Sequence, residues 1–333
     1  MKHRDSKNPE SKRNHCLTTG WISDIGMKRS TNEDRCKVLA PYAPLGAEAL
    51  LLVADGMGGH QAGDVASQMT VDGMAPQLGK SLTGKPLYDS PSIELLLKAA
   101  VQGVNASVWE EAKKIEYRGM GTTLTAAVIH GSDLIMANAG DSRGYLLRDG
   151  SLGRITRDHS WVEQQVEAGL LSHEEADRHP NRNIITRAIG IAETVEVDIF
   201  REELREGDVV VMCSDGLYSL VTDPEIANTV GEAGPSKACN ALVKMANDRG
   251  GHDNITVVIA RVGSIKDSRN SSQGPAKRSM VTTLPDKTVI KKAGTTRTLF
   301  KKTIRILSSP LRVLLRLTGW LVRTIFRKNS LGK

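Results

Sequence analysis

The sequence predicts an α+β protein in which antiparallel sheets and helices form layers. Short apolar runs of strand length follow one another with only a few turn residues between them, too few for a helical crossover, so neighbouring strands must pair antiparallel. Three longer stretches of helical length sit between or beside those runs. The 333-residue chain is 39% hydrophobic and 25% charged, an ordinary balance for a protein that buries a sizeable core.

In chain order, residues 50–54 form a continuous apolar run of the kind a fully buried strand shows. Residues 62–74 and 92–113 read as helices. Residues 123–129 and 134–137 are two further strands, and Gly131-Ser132-Asp133 leaves room only for a hairpin between them. Residues 209–213 are the next strand. Residues 236–248 read as a helix that Pro235 starts and Gly250 with Gly251 ends. Residues 255–262 are the last strand of this set. No internal repeat is present.

Charge is unevenly spread. The net charge is +7, yet residues 263–333 hold 17 Lys/Arg against only Asp267 and Asp286, and the first 262 residues hold 28 basic and 36 acidic side chains. An acidic body with a basic tail implies chemistry in the first and attachment through the second. Cys16, Cys36, Cys213 and Cys239 are scattered and form no Cys-x-x-Cys pair, which implies neither a disulfide framework nor a zinc site. Residues 1–15 are polar and basic without an apolar core, unlike a secretory signal, so the expected location is cytoplasmic.

Four aspartates stand at the rims of buried strands. Asp55 follows residues 50–54 in Asp55-Gly56-Met57-Gly58-Gly59-His60, and Asp215 follows residues 209–213 in Ser214-Asp215-Gly216. Asp141 lies in Gly140-Asp141-Ser142-Arg143, and Asp253 lies in Gly251-His252-Asp253-Asn254 just before Ile255. Taken singly, Asp-Gly is a turn dipeptide, and Asp149-Gly150 reads as only that. Together, carboxylates at the ends of neighbouring strands repel one another unless a cation sits between them. Hard oxygen ligands select magnesium, manganese or calcium over zinc or copper. The glycine after Asp55 lets a bare backbone carbonyl approach such an ion. Hydrolysis of a phosphate ester uses this kind of cluster: one bridging carboxylate holds two ions about 4 Å apart, and the water between them ionises near neutral pH.

Residues 23–34 add Arg29, Glu33 and Asp34. Arg29 has the planar fork that clamps a phosphate, and the two acids suit the outer shell of a metal site. Read alone, this segment is an ordinary solvated loop. Taken with residues 53–60, Gly119-Met120-Gly121-Thr122-Thr123, and residues 138–143, 213–216 and 251–256, it resembles the type 2C metal-dependent (PPM) serine/threonine protein phosphatases in their bacterial form. Asp158-His159-Ser160, residues 179–183 and residues 187–190 resemble that family's flap. The match covers roughly residues 18–262 in the family's order and spacing.

The resemblance implies a central β-sandwich of two antiparallel sheets flanked by helices on both faces, with a metal cleft at one edge. Carried over residue by residue, Asp55 bridges two Mn²⁺ or Mg²⁺ ions and Gly56 gives its carbonyl to one of them. Asp215 and Asp253 complete the other site. Glu33 and Asp34 position water in the metal shell, and Asp141 with Asp215 holds the third ion of bacterial members. Arg29 binds the substrate phosphate. The implied reaction has no phosphoenzyme: hydroxide held between the metals attacks phosphorus in line with the seryl or threonyl oxygen. Some family members place a histidine two residues after the bridging aspartate as general acid. Here that residue is Met57, and the match does not pass the role to His60. His159, His179 and His252 are read as structural or solvent-facing. The charged flap of residues 158–190 is expected to choose the substrate.

The expected domain plan is a disordered segment at 1–17, the catalytic domain at 18–262 and a flexible linker at 263–298. A basic amphipathic helix at 299–328 and an end segment at 329–333 follow. In the helix, Arg312, Arg316, Arg323 and Arg327 fall on one face, and Leu, Val, Ile, Phe and Trp320 occupy much of the rest. The arginines interrupt it too often for a spanning helix. It suits an anionic membrane surface, which would place the protein peripherally on the inner face of the cytoplasmic membrane. Docking on the acidic body or on a partner are the alternatives. No nucleic-acid partner is expected, because the basic residues alternate with bulky aliphatics. The expected partners are phosphoserine and phosphothreonine proteins and a cognate bacterial serine/threonine kinase. Two other functions fit parts of the pattern: a catalytically silent phosphoprotein-binding module tethered through the tail, and a metal hydrolase of small phosphate esters. Retention of all four aspartates argues against the silent module, and the flap-like segment argues against the small-ester hydrolase.

Overall fold

The computed structural model describes residues 16–58, 62–80 and 90–263. With elements numbered in chain order, one sheet runs β1 (Cys16–Asp24), β11 (Ile255–Gly263), β10 (Val209–Cys213), β7 (Arg143–Arg148) and β8 (Ser151–Arg154). The other runs β2 (Asp34–Leu39), β3 (Ala49–Met57), β5 (Leu124–His130), β6 (Asp133–Ala139) and β9 (Asp198–Glu203), with the short β4 (Gly121–Thr122) beside the end of β3. Every pairing is antiparallel. The helices are α1 (Ala62–Lys80), α2 (Ser90–Glu111), α3 (Trp161–Glu167), α4 (His173–Arg178), α5 (Asp215–Tyr218), α6 (Asp223–Glu232) and α7 (Pro235–Asp248).

The apolar runs are continuous because each central strand is buried on both faces. On β3, Ala49, Leu51 and Val53 meet Val210, Met212, Val258 and Ala260 between the sheets. The alternate residues Leu50, Leu52 and Ala54 pack with Met74, Leu78, Leu97 and Val101 of α1 and α2. On the far side, Val209, Val211 and Cys213 of β10 pack with Ile226 and Leu242 of α6 and α7. Each fully buried aliphatic side chain contributes about 1.5–3 kcal/mol, so the strand with two buried faces is the most strongly determined element here. The layers are helix, sheet, sheet, helix, as the family resemblance implies.

Some boundaries differ from the sequence reading. The first helix runs on to Lys80, through Pro76, and the second spans Ser90–Glu111 in place of 92–113. The edge strands β1, β2, β8 and β9 and the interior strand β7 were not read from the sequence. Along β1 only Gly20 is buried, where a Cβ would collide with the first turn of α7 at Ser236. Cys16 pairs with Gly263 at the far end of that ladder, so the sheet reaches past residues 18–262 on both sides. Asp149-Gly150 is the tight turn expected, with φ of 51° and 79° between β7 and β8. The helix expected at 299–328, the linker at 263–298 beyond Gly263, and His60 lie outside the described residues.

Candidate metal centre

Both sheets send carboxylates to one edge of the sandwich. Asp34 opens β2 directly across from Asp55 in β3. In the other sheet, Asp215 opens α5 straight after β10, and Asp253 precedes the neighbouring strand β11. Asp141 sits in the turn by which the chain crosses from β6 in one sheet to β7 in the other. Asp55 is not beyond its strand, as the sequence implied, but within it, because Gly56 and Met57 continue the ladder by pairing with Thr122 and Gly121.

A buried polar lattice holds these side chains from behind. Ser214 Oγ donates to Asp34 Oδ2 at 2.6 Å and accepts from the Thr256 N–H at 3.0 Å. Thr123 Oγ1 accepts from the Asp55 N–H at 2.9 Å and lies 2.7 Å from Ser142 Oγ, which ties Asp55 to the turn carrying Asp141. Asn254 clamps the loop before β2. Its Nδ2 donates to the Ile25 and Thr31 carbonyls at 2.9 and 3.0 Å, and its Oδ1 accepts from the Glu33 N–H at 2.8 Å. Sequence reasoning assigned no role to Ser214, Thr123 or Asn254. The signal available was their place inside the motifs, beside the acids they hold. Gly56 is fixed by crowding, since a Cβ there would collide with the backbone oxygens of Gly63 and Glu33. Gly63 in turn leaves room for the Glu33 carboxylate.

Burial raises the proton affinity of Asp55 well above the usual carboxylate range, and Asp34, Asp215, Asp141 and Asp253 raise it further. Asp34 is pushed up by burial, against hydrogen bonds from Ser214 and Thr256, and Asp141 is pushed up by burial and by Asp215. Asp215 is likewise raised by burial and Asp253, while a hydrogen bond with Asp55 opposes the rise. Asp215 Oδ1 is buried without a hydrogen-bond partner. Among the described residues no three His, Cys, Asp or Glu side chains close around one point. The Asp253 carboxylate accepts instead from Arg29 Nη2 at 2.7 Å, an ion pair with the arginine side chain 49% exposed. An all-oxygen donor set, mutual repulsion and an orphaned buried oxygen fit a hard divalent cation at this edge.

The histidines take supporting places. Gly140 N–H donates to His159 Nδ1 at 3.1 Å, so Nε2 carries the proton and faces Asp198 Oδ2 at 3.2 Å. Burial holds His159 below its ordinary range. His179 packs on the Trp161 ring at 5.0 Å, and His252 is exposed. Asp158 accepts a two-pronged ion pair from Arg143, whose guanidinium stacks 3.6 Å over the Tyr218 ring.

A layered sandwich with this carboxylate cleft at its edge defines a metal-dependent phosphatase architecture. The chain belongs to the protein phosphatase 2C family, whose model matches residues 27–260. It is 37% identical over 252 residues to the serine/threonine phosphatase stp of Listeria welshimeri, a match covering 75% of this chain and 98% of that protein. The structure of the S. agalactiae serine/threonine phosphatase superposes with a TM-score of 0.68 at 38% identity, over 74% of this chain and 100% of that one. The catalytic domain of the serine/threonine protein phosphatase PstP, solved in complex with two manganese ions, superposes with a TM-score of 0.63 at 38% identity, over 75% of this chain and 100% of that one.

Proposed function

We infer that this cleft hydrolyses phosphoserine and phosphothreonine on proteins and that it works with Mn²⁺ or Mg²⁺. The observation that carries this reading is the gathering of mutually repelling carboxylates from both sheets beside the half-exposed guanidinium of Arg29. Asp55, central to the cluster, would hold metal together with the Gly56 carbonyl beside it. Asp215, Asp253 and Asp141 would complete the ligand set. Glu33 and Asp34 stand behind and orient water. Bound there, the ions supply hydroxide at neutral pH and offset the charge on the transferring phosphoryl group.

The chain's own residues bind and orient the substrate. Arg29 exchanges Asp253 for the phosphate, which its planar fork engages through two N–H groups. Thr123, Ser142, Ser214 and Asn254 hold the acids in place, so little reorganisation accompanies reaction.

Phosphate release from a phosphothreonine peptide tests this, with Mn²⁺, with Mg²⁺ and with chelator. Release is expected only with metal, and Asp55→Asn is expected to lower it by at least about 10³-fold. A folded protein that releases nothing with either metal would instead be a silent phosphoprotein-binding module.

Phosphoserine and phosphothreonine are products of protein kinases, so a cognate serine/threonine kinase supplies the substrate. No helix among the described residues is long and apolar enough to cross a membrane. The arginine-lined apolar pattern of residues 299–328 supports attachment to an anionic membrane surface, to be tested by removing residues 299–333 and following the protein through fractionation.

A further inference from the structure

A cavity of about 400 Å³ opens between the C-terminal end of α2 and the loop that leads toward β9. Trp109, Lys113, Arg118, Gly119, Gly190 and Ile191 line it. It lies at the carboxylate end of the molecule. Gly73 and Gln77 of α1 pack on Val104 and Gly103 of α2, so the two helices run antiparallel, and α2 returns to the end from which α1 leaves.

The short strand β4 stands as a wall between residues 189–191, two of which line the cavity, and Gly56 with Met57 next to Asp55. On the cleft side, Thr122 Oγ1 donates to the Asp55 carbonyl at 2.8 Å, and Gly121 and Thr122 pair with Met57 and Gly56. On the cavity side, Thr122 exchanges two backbone hydrogen bonds with Ile189, at 3.0 and 2.8 Å. Gly121 is the thin point of the wall: a Cβ there would meet Ile191 Cγ2 at 2.8 Å and Met57 Cγ at 3.6 Å. Arg118 precedes Thr122 by four residues, so their Cα atoms are at most about 14 Å apart.

The lining has a definite chemistry. Arg118 is exposed, and among the described residues it makes no ion pair or side-chain hydrogen bond. Lys113 lies 5.8 Å over the Trp109 ring and pairs with Glu110. Ile191 is 44% exposed. A free guanidinium beside an apolar floor, on a body otherwise rich in acids, is complementary to an extended segment carrying one acidic and one apolar side chain.

We propose that this cavity is a substrate subsite, which receives the residues flanking the phosphorylated serine or threonine. An aspartate or glutamate within about four positions of the phosphoresidue pairs with Arg118, and a neighbouring apolar side chain rests on Trp109 and Ile191. The proposal rests on the phosphatase reading given above.

The test uses the full chain with Mn²⁺, an aryl phosphate and two phosphothreonine peptides. The peptides differ only in carrying Glu or Lys three and four residues to either side of the phosphothreonine. The Glu peptide is expected to be preferred by about 5-fold in kcat/KM, expressed mainly in KM. Arg118→Glu is expected to abolish or invert that preference while aryl phosphate turnover stays as in the wild type. Equal kcat/KM for the two peptides in the wild type, or equal losses on both in Arg118→Glu, would overturn the subsite. Loss of the aryl phosphate reaction in the wild type would instead overturn the phosphatase reading.

Discussion

Asp215 is pushed up to about 6, Asp34 to about 7 and Asp141 to about 8, each through burial first. Unfolded, these groups return to about 3.9. The metal-free folded state therefore binds more protons than the unfolded chain between pH 4 and 8, and its stability falls as pH rises through that window. Melted in chelator, the protein is expected to be more stable at pH 5.5 than at pH 8, with Mn²⁺ narrowing the gap. Asp55→Asn removes the cost of burying an ionisable carboxyl among other acids and is expected to raise the metal-free Tm at pH 8 by about 2–4 °C per kcal/mol while abolishing turnover. A lower Tm for this variant at pH 8 would contradict the electrostatic account. Asp55, Asp141 and Asp215 were legible in the sequence as strand-end residues beside glycine, whereas Asp34 stood only within a charged segment. Their holders were not, because Ser214 and Thr123 look like any small polar residue until register brings them to Asp34 and Asp55.

Central strands and edge strands differed in how far the sequence announced them. The runs at 50–54 and 209–213 are apolar at every step because both faces are buried, and 255–262 is broken only by the buried Thr256 and the half-buried Arg261. β1 and β2 carry mixed residues, since each lies at a sheet edge and is half solvated. The flap divides in the same way. Its root, Asp158-His159-Ser160, is buried and bonded to Arg143, Gly140 and the start of α3. Its outer part is an exposed helix pair, with a capping box at Ser172 and Glu175 and with Leu170 70% exposed. Replacing residues 169–182 by a short turn is expected to leave aryl phosphate turnover within about 2-fold and to lower kcat/KM on a phosphoprotein by about 10-fold or more. Equal losses on both substrates would show that this outer segment, with α4 in it, serves stability alone.

For the molecule as a whole, the charge asymmetry is the main lever. Residues 263–333 carry 17 of the 45 Lys and Arg, and so a net positive charge that the acidic body lacks. The chain without residues 299–333 is expected to leave the membrane fraction while keeping its peptide phosphatase rate. The intact chain is expected to sediment with vesicles containing anionic lipid, less so at high salt, and not with neutral ones. Unchanged partitioning after the deletion would end the membrane reading and turn attention to a protein partner.

The sequence by itself determined which acids are candidates for the chemistry and which strands form the centre of the fold, because burial on both faces and acids at strand ends are local patterns. Tertiary structure decided which groups meet. Ser214 reaches Asp34 across 180 positions, Arg29 reaches Asp253 across 224, and Thr122 joins Asp55 to Ile189. Contacts of that range follow from strand register and from how two sheets stack. Those depend on every buried face at once, and no short stretch of sequence contains them.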